Sequence, residues 1–301
     1  MPSLQFRLAK ALVRLDTLLT LYGYAPLRYR RFLFDKVAPR LARKVPGVRS
    51  EPADLPGIPA EWLIPEGCEA GKAILYLHGG GYAIGCIDSH RSLASQIASA
   101  AGCRALIVGY RLAPEDPFPA AVEDAAAAFR WLLSRGYAPH RVAVAGDSAG
   151  GGLAVALMVY LREAGDPLPA AALLLSPWTD LEVTGGTCGT VGRKDPMLTP
   201  KILRDYARLY LGSRDPRDPL ASPLYADLRG LPPMLIQVGT EEILLDDARR
   251  LARRAEEAGV EVRLEVEEGM FHVWQFFSPT VPESKEAVER LGGFARDRLA
   301  S

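Results

Sequence analysis

Arg141-Val142-Ala143-Val144-Ala145-Gly146-Asp147-Ser148-Ala149-Gly150-Gly151 joins a strand to a helix through a turn that holds a serine. Residues 141–145 alternate in the manner of a strand, and the apolar segment 153–161 has the length of a helix. At the junction stands G-x-S-x-G. Small residues on both sides let the chain reverse tightly, so that the Ser148 hydroxyl stands clear of the backbone. The helix N-terminus behind it favours developing negative charge. Glycine-serine turns without chemistry are common, and the flanking strand and helix are what give this one meaning.

Upstream, Ala73-Ile74-Leu75-Tyr76-Leu77 reads as a buried strand that runs into His78-Gly79-Gly80-Gly81-Tyr82. Three glycines expose backbone N–H groups at a strand end. Acyl transfer passes through a tetrahedral oxyanion, and losing one preorganised donor there costs about 10²–10³ in rate. Gly80, Gly81 and Ala149 are assigned to this oxyanion hole, with Gly79 a turn residue that could exchange roles with its neighbours. The competing reading is a phosphate-cradling loop. A dinucleotide fingerprint requires glycine at 84, where this chain has Ile84.

The two motifs HGGGY and GDSAGG, with Tyr110-Arg111-Leu112-Ala113-Pro114-Glu115 between them, resemble the hormone-sensitive-lipase-like family of microbial α/β-hydrolase esterases. The likeness runs from about residue 60 to the C-terminus, with the motifs in the family's order. It implies an α/β fold with a mostly parallel sheet, helices on both faces and a helical cap over the nucleophile. The expected organisation is a first cap piece over residues 1–45, core over 46–182, a second cap segment over 183–228 and core again over 229–301. Tyr82, Tyr22, Phe34, Met197, Tyr206 and Tyr210 are the candidate substrate-binding side chains, although any one of them is more often core. The resemblance also allows a homodimer.

The base follows by elimination among His78, His90, His140 and His272. His78 belongs to the glycine loop. His140 precedes the Ser148 strand and so lies at the edge opposite the carboxyl ends, where parallel sheets place their sites. His90, in Ser89-His90-Arg91, is expected at a helix start in a capping or solvated role. His272 remains, in a loop after the alternating run 260–266, and it completes the order Ser, acid, His of this architecture.

The acid is one of four carboxylates after the strand 234–238. Related enzymes show Asp-Pro-Leu-x-Asp here, and Glu242-Ile243-Leu244-Leu245-Asp246 aligns with it, placing glutamate where aspartate is common. Glu242 is the first choice and Asp246 the second, with Glu241 and Asp247 read as solvated charges at a helix start. Asp147 is too close to the nucleophile in sequence to act through His272 and is read as a hydrogen-bonding support of the turn.

Other segments alternate as α/β: a strand at 105–109, a crossover helix at 119–133, a strand at 171–175, a helix at 200–211 and a terminal helix at 282–299. Gly185–Gly189 is the expected flexible connector. With 301 residues, 49% hydrophobic, the chain can bury a full sheet, and its formal net charge is zero. That balance argues against nucleic acid or an anionic membrane as partner and for a small, weakly charged ester. Cys68, Cys86, Cys103 and Cys188 show no metal spacing and read as reduced thiols in the cytoplasm. Leu4, Leu8, Leu12, Leu15, Leu18 and Leu19 recur at helical spacing among charges, unlike a signal peptide, and no run is long enough to span a membrane.

Together these features predict a serine carboxylesterase acting on short- to medium-chain acyl esters without cofactor or metal. An amidase or dedicated natural-ester hydrolase on the same triad and a non-catalytic receptor of the same fold are the alternatives. A long-chain lipase is disfavoured, because no exposed interfacial apolar segment is apparent.

Overall fold

The structure, a computed structural model, describes residues 2–19, 25–41, 44–191 and 194–300. Its strands are β1 (Val48–Pro52), β2 (Ala60–Pro65), β3 (Ala73–Leu77), β4 (Arg104–Val108), β5 (Val142–Asp147), β6 (Ala171–Leu175), β7 (Met234–Gly239) and β8 (Val262–Glu267). They form one sheet in the order β1-β2-β4-β3-β5-β6-β7-β8, antiparallel only at β1–β2 and β2–β4. The helices are α1 (Leu4–Leu19), α2 (Leu27–Arg31), α3 (Ala38–Leu41), α4 (Ile87–Ala101), α5 (Ala120–Ser134), α6 (Ala149–Ala164), α7 (Thr187–Thr190), α8 (Pro200–Leu211), α9 (Leu245–Glu257) and α10 (Pro282–Leu299). A short π-helical stretch, Phe32–Val37, joins α2 to α3.

The period-2 alternation of the strands decides which helices cover which face. Leu75, Leu77, Val144, Leu174 and Ile236 pack with α5, α6 and α9. Ile74, Tyr76, Ala143, Leu173 and Leu235 point the other way, against α4 and α10. Helices cover both faces, so β3, β5, β6 and β7 are buried along their whole length. Their carboxyl ends line up at one edge, and the loops leaving that edge carry Gly79–Gly81, Ser148, Ser176, Glu242 and His272.

β1 and β2 lie within the core expected from residue 46, although neither is assigned from its own sequence. β1 is a half-exposed edge strand, Val-Arg-Ser-Glu-Pro, with no sustained alternation to mark it. The expected strand at 260–266 begins two residues later, after Val260 has closed the turn from α9 through its N–H to Ala255. Gly185–Gly189, the expected connector, is anchored at one point. It leads into α7, where the Thr187 N–H donates to Asp246 and the Thr187 hydroxyl to the Ile243 carbonyl.

The two segments outside the alternation lean on the site edge. In α1, Phe6 and Ala9 pack with Met270, Phe271 and Trp274 around His272. Arg31, at the end of α2, donates to the carbonyls of Ala83 and Ala113 and pairs with Glu115, which ties this piece to the glycine loop. α8 lies across the same loop, with Tyr210 stacked on Tyr82 at 3.8 Å between ring centroids.

Candidate active site

Ser148 sits between β5 and α6 at φ 53°, ψ −120°, a conformation that costs a non-glycine residue about 1–3 kcal/mol. Close packing holds it there. The Ser148 N–H donates to the Leu175 carbonyl at 2.8 Å, and its own carbonyl accepts from Trp178 at 2.9 Å and Gly152 at 3.1 Å. Gly146 and Gly150 make the turn feasible: a methyl group on Gly150 would stand 2.0 Å from the Leu77 carbonyl oxygen. The side chain remains partly exposed while its neighbours are buried.

The loop after β3 bends through left-handed Gly80 (φ 118°), Gly81 (φ 61°) and Tyr82 (φ 60°). The Gly79 N–H is committed, donating to Asp147 Oδ1 at 3.0 Å and lying 3.2 Å from His90 Nε2. Among the described residues none accepts from the N–H groups of Gly80, Gly81 or Ala149, so these three donors stay available at the strand end. Gly79 is thereby set apart from the neighbours with which it could have exchanged roles.

Glu242 and His272 are brought together. His272 Nδ1 lies 2.8 Å from Glu242 Oε2, and both side chains are buried. The second oxygen, Oε1, accepts from the Ser176 hydroxyl at 2.8 Å and the Gly239 N–H at 2.6 Å. The Ser176 hydroxyl also accepts from the Val273 N–H at 3.2 Å, so one serine links the acid loop to the base loop. Burial alone would lower the His272 pKa, but the Glu242 hydrogen bond and the negative charges of Glu242, Asp195 and Asp147 outweigh it, and the imidazole ends above its ordinary 6.5. Nδ1 is engaged, which leaves Nε2 as the nitrogen for chemistry.

The other carboxylates have separate duties. Asp246 accepts from the Thr187 N–H at 3.1 Å, and Glu241 pairs with Lys10 of α1. Asp247 is not a solvated charge: it is buried, accepts from the N–H groups of Thr179 and Asp180 at 2.9 Å, and faces Arg250. Burial and the neighbouring Asp180 push it up to about 7. Asp147 braces the turn, accepting from Tyr76 at 2.8 Å as well as from Gly79. Burial raises its pKa, but His90 and the Tyr76 hydroxyl outweigh that and hold it below the usual carboxylate range.

His90 departs from expectation. It is neither a cap nor solvated but fully buried, 3.4 Å from Asp147 Oδ2, because α4 returns across the end of β3. His78 is buried beside it at 5.2 Å between ring centroids; burial and its neighbour push it down to about 3. His140 lies exposed before β5, at the opposite edge.

Of the candidate substrate-binding residues, Tyr206 packs on the glycine loop: a methyl group on Gly81 would stand 2.6 Å from its ring. Tyr82 and Tyr210 are each 1% exposed and face one another. Phe34 packs 5.7 Å from His90, and Met197 joins the cluster of Phe6 and Phe271. Tyr22 lies outside the described residues.

Sequence reasoning missed Asp195 and Ser176. Asp195 accepts from the N–H groups of Met197, Leu198 and Ile243 at 2.8–3.0 Å, and burial against the counter-charge of His272 leaves it at about 6. Nothing in its local sequence marks it. Ser176 did have a signal, since it directly follows a buried strand at the site edge.

A strained serine at a strand-to-helix turn, free N–H donors and a buried carboxylate–histidine pair on one sheet edge define the class: a serine hydrolase of α/β architecture. The chain belongs to the alpha/beta hydrolase fold family, whose model matches residues 74–276, and to its hormone-sensitive-lipase-like esterases. It is 52% identical over 237 residues to an acetyl-hydrolase of Streptomyces hygroscopicus, covering 79% of each chain. It is similar to an esterase of the bacterial hormone-sensitive lipase family, with 47% identity, a TM-score of 0.93 and 99% of each chain covered. EstE5, a structure of which was soaked with p-nitrophenyl butyrate, is 42% identical with a TM-score of 0.91, covering 99% of this chain and all of its own. The protein is a carboxylic ester hydrolase; none of these relatives is named as an amidase or a receptor. Among the described residues no helix is long and apolar enough to cross a membrane.

Proposed function

We propose that this carboxylesterase hydrolyses short- to medium-chain acyl esters through Ser148, His272 and Glu242. The carrying observation is the buried 2.8 Å pair of Glu242 and His272 Nδ1 on the sheet edge that holds the strained Ser148. His272 Nε2 takes the Ser148 proton as Oγ attacks the ester carbonyl, and the oxyanion forms against the N–H groups of Gly80, Gly81 and Ala149. The imidazolium then protonates the departing alcohol. Water repeats the cycle on the acyl-enzyme, with His272 again as base. Glu242 fixes the imidazole tautomer and stabilises the imidazolium without taking the proton.

Residues 1–45 and 183–228 act as a two-piece cap in this reading, with Tyr206, Phe34 and Met197 bounding the acyl side and Tyr82 and Tyr210 supporting it from below. Short chains fit the name of the acetyl-hydrolase relative and the butyrate ester used with EstE5. The four cysteines carry free thiols, which supports a cytoplasmic location. The test is hydrolysis of p-nitrophenyl esters from acetyl to palmitoyl beside Ser148→Ala. Activity peaking at short or medium chains and lost in the variant supports the proposal; no activity above the variant at any length refutes it.

A further inference from the structure

The side of α1 that meets the protein is built from Phe6, Ala9 and Val13, yet its outer side is not polar. Leu4, Leu8, Leu12, Leu15 and Leu18 are between 52 and 71% exposed. At 100° per residue these leucines form one stripe about 120° wide. Arg7 and Arg14 stand exposed along one margin, with Gln5 and Asp16 along the other. Among the described residues, seven of the eight exposed large hydrophobic side chains fall at positions 4–32, Tyr29 and Phe32 completing the set. The same segment is strongly basic. Residues 1–45 carry ten lysines and arginines against Asp16 and Asp35, so the zero net charge of the whole chain hides an excess of eight positive charges here, two of them, Lys10 and Arg31, met by Glu241 and Glu115 from outside the segment.

We propose that α1 is an interfacial docking helix, its leucine stripe seated in an anionic lipid surface with Arg7 and Arg14 at the level of the headgroups. An apolar face bordered by arginine is the pattern of helices that lie in a membrane interface, and anionic headgroups add attraction for each nearby cation. A second copy fits the stripe less well, because pairing through α1 would bring two strongly positive segments together. The zero net charge of the whole chain argues against an anionic membrane as partner, but that balance averages a basic N-terminal segment with the rest of the chain.

Position gives the docking a use. Phe6 packs on Phe271 at 5.2 Å between ring centroids, and Lys10 pairs with Glu241, so α1 is fastened to the residues preceding both His272 and Glu242. A docked molecule holds its site edge close to the lipid layer, where apolar esters partition.

The test is vesicle flotation of the full chain, comparing phosphatidylcholine alone with an equal mixture of phosphatidylcholine and phosphatidylglycerol. Wild type and Ser148→Ala are expected to bind the mixed vesicles equally, and about tenfold or more above the neutral ones at low salt. Leu8→Ser with Leu15→Ser is expected to lower that binding about tenfold or more while leaving turnover of dissolved p-nitrophenyl acetate unchanged. Absence of vesicle binding, equal binding to both compositions, or binding indifferent to the two leucines overturns the proposal. So does light scattering that shows a wild-type dimer which the double variant dissociates, since a second copy would then own the stripe. Vesicle binding is read without turnover, so its failure is distinct from failure of the esterase reading.

Discussion

Glu242→Gln changes one atom and reverses one hydrogen bond. In the native site Oε1 serves two donors, Ser176 and Gly239, while Oε2 faces His272 Nδ1. The glutamine oxygen keeps the two donors satisfied, so the loop should retain its shape and the protein its fold. The amide nitrogen must then face Nδ1. Two donors cannot share that contact, so the imidazole turns to the tautomer with its proton on Nε2 and can no longer accept from Ser148. Wrong-tautomer variants of such triads lose about 10⁴ in kcat, and at 1.36 kcal/mol per decade the loss here corresponds to about 5.4 kcal/mol of transition-state stabilisation. KM should change little, since Glu242 is buried away from any acyl chain. In wild type, activity should fall on the acid side as His272 takes up its proton at a pKa raised above 6.5. Removing the carboxylate leaves burial to dominate, and the residual acid limb moves to lower pH. The assay is the pH profile of kcat/KM on p-nitrophenyl butyrate, with Ser148→Ala as the floor. Retention of more than about a tenth of wild-type kcat, or an equal loss in Asp246→Asn, would refute the assignment of Glu242.

Other sites make further tests. Asp195→Asn turns an amide toward the Ile243 N–H and should cost about 1–3 kcal/mol of stability by chemical denaturation; because burial raises Asp195 to about 6, wild type's advantage should shrink as pH rises from the ordinary carboxylate range through that value. The same variant removes a negative charge facing His272, so the acid limb of kcat/KM should shift to lower pH. Ser148→Gly should abolish turnover yet raise the melting temperature, since glycine relieves the φ 53° strain; an unchanged or lower value would show that the turn is not strained. Gly81→Ala puts a methyl group 2.6 Å from the Tyr206 ring and should lower kcat about 10²–10³-fold by moving an oxyanion donor, and it should also lower the melting temperature, because Gly81 holds φ 61° and the buried Tyr206 ring meets the methyl at its base.

Much of this molecule was legible in the chain because local rules and global fold agree. β3, β5, β6, β7 and α6 are read from apolar runs and turn residues, since a strand buried on both faces needs no partner to be recognised. Gly80 and Gly81 are legible because left-handed backbone demands glycine, and Ser148 because the turn that strains it needs Gly146 and Gly150 within two positions on either side. What the one-dimensional pattern did not carry depends on elements distant in sequence. His90 and Asp147, 57 positions apart, meet only because α4 returns over the end of β3. Asp195 and Ser176 reach the acid and base loops through long-range packing, and neither needs a local motif to do so. Asp247 looks like any acid at a helix start until Thr179 and Asp180 fold back onto it. The N-terminal leucines show the limit most plainly. Their spacing declares an amphipathic helix, but a helix with Phe6, Ala9 and Val13 on one side and five leucines on the other has two apolar faces. Only tertiary contacts, which spend one face on Phe271 and Trp274, decide which face is left to water.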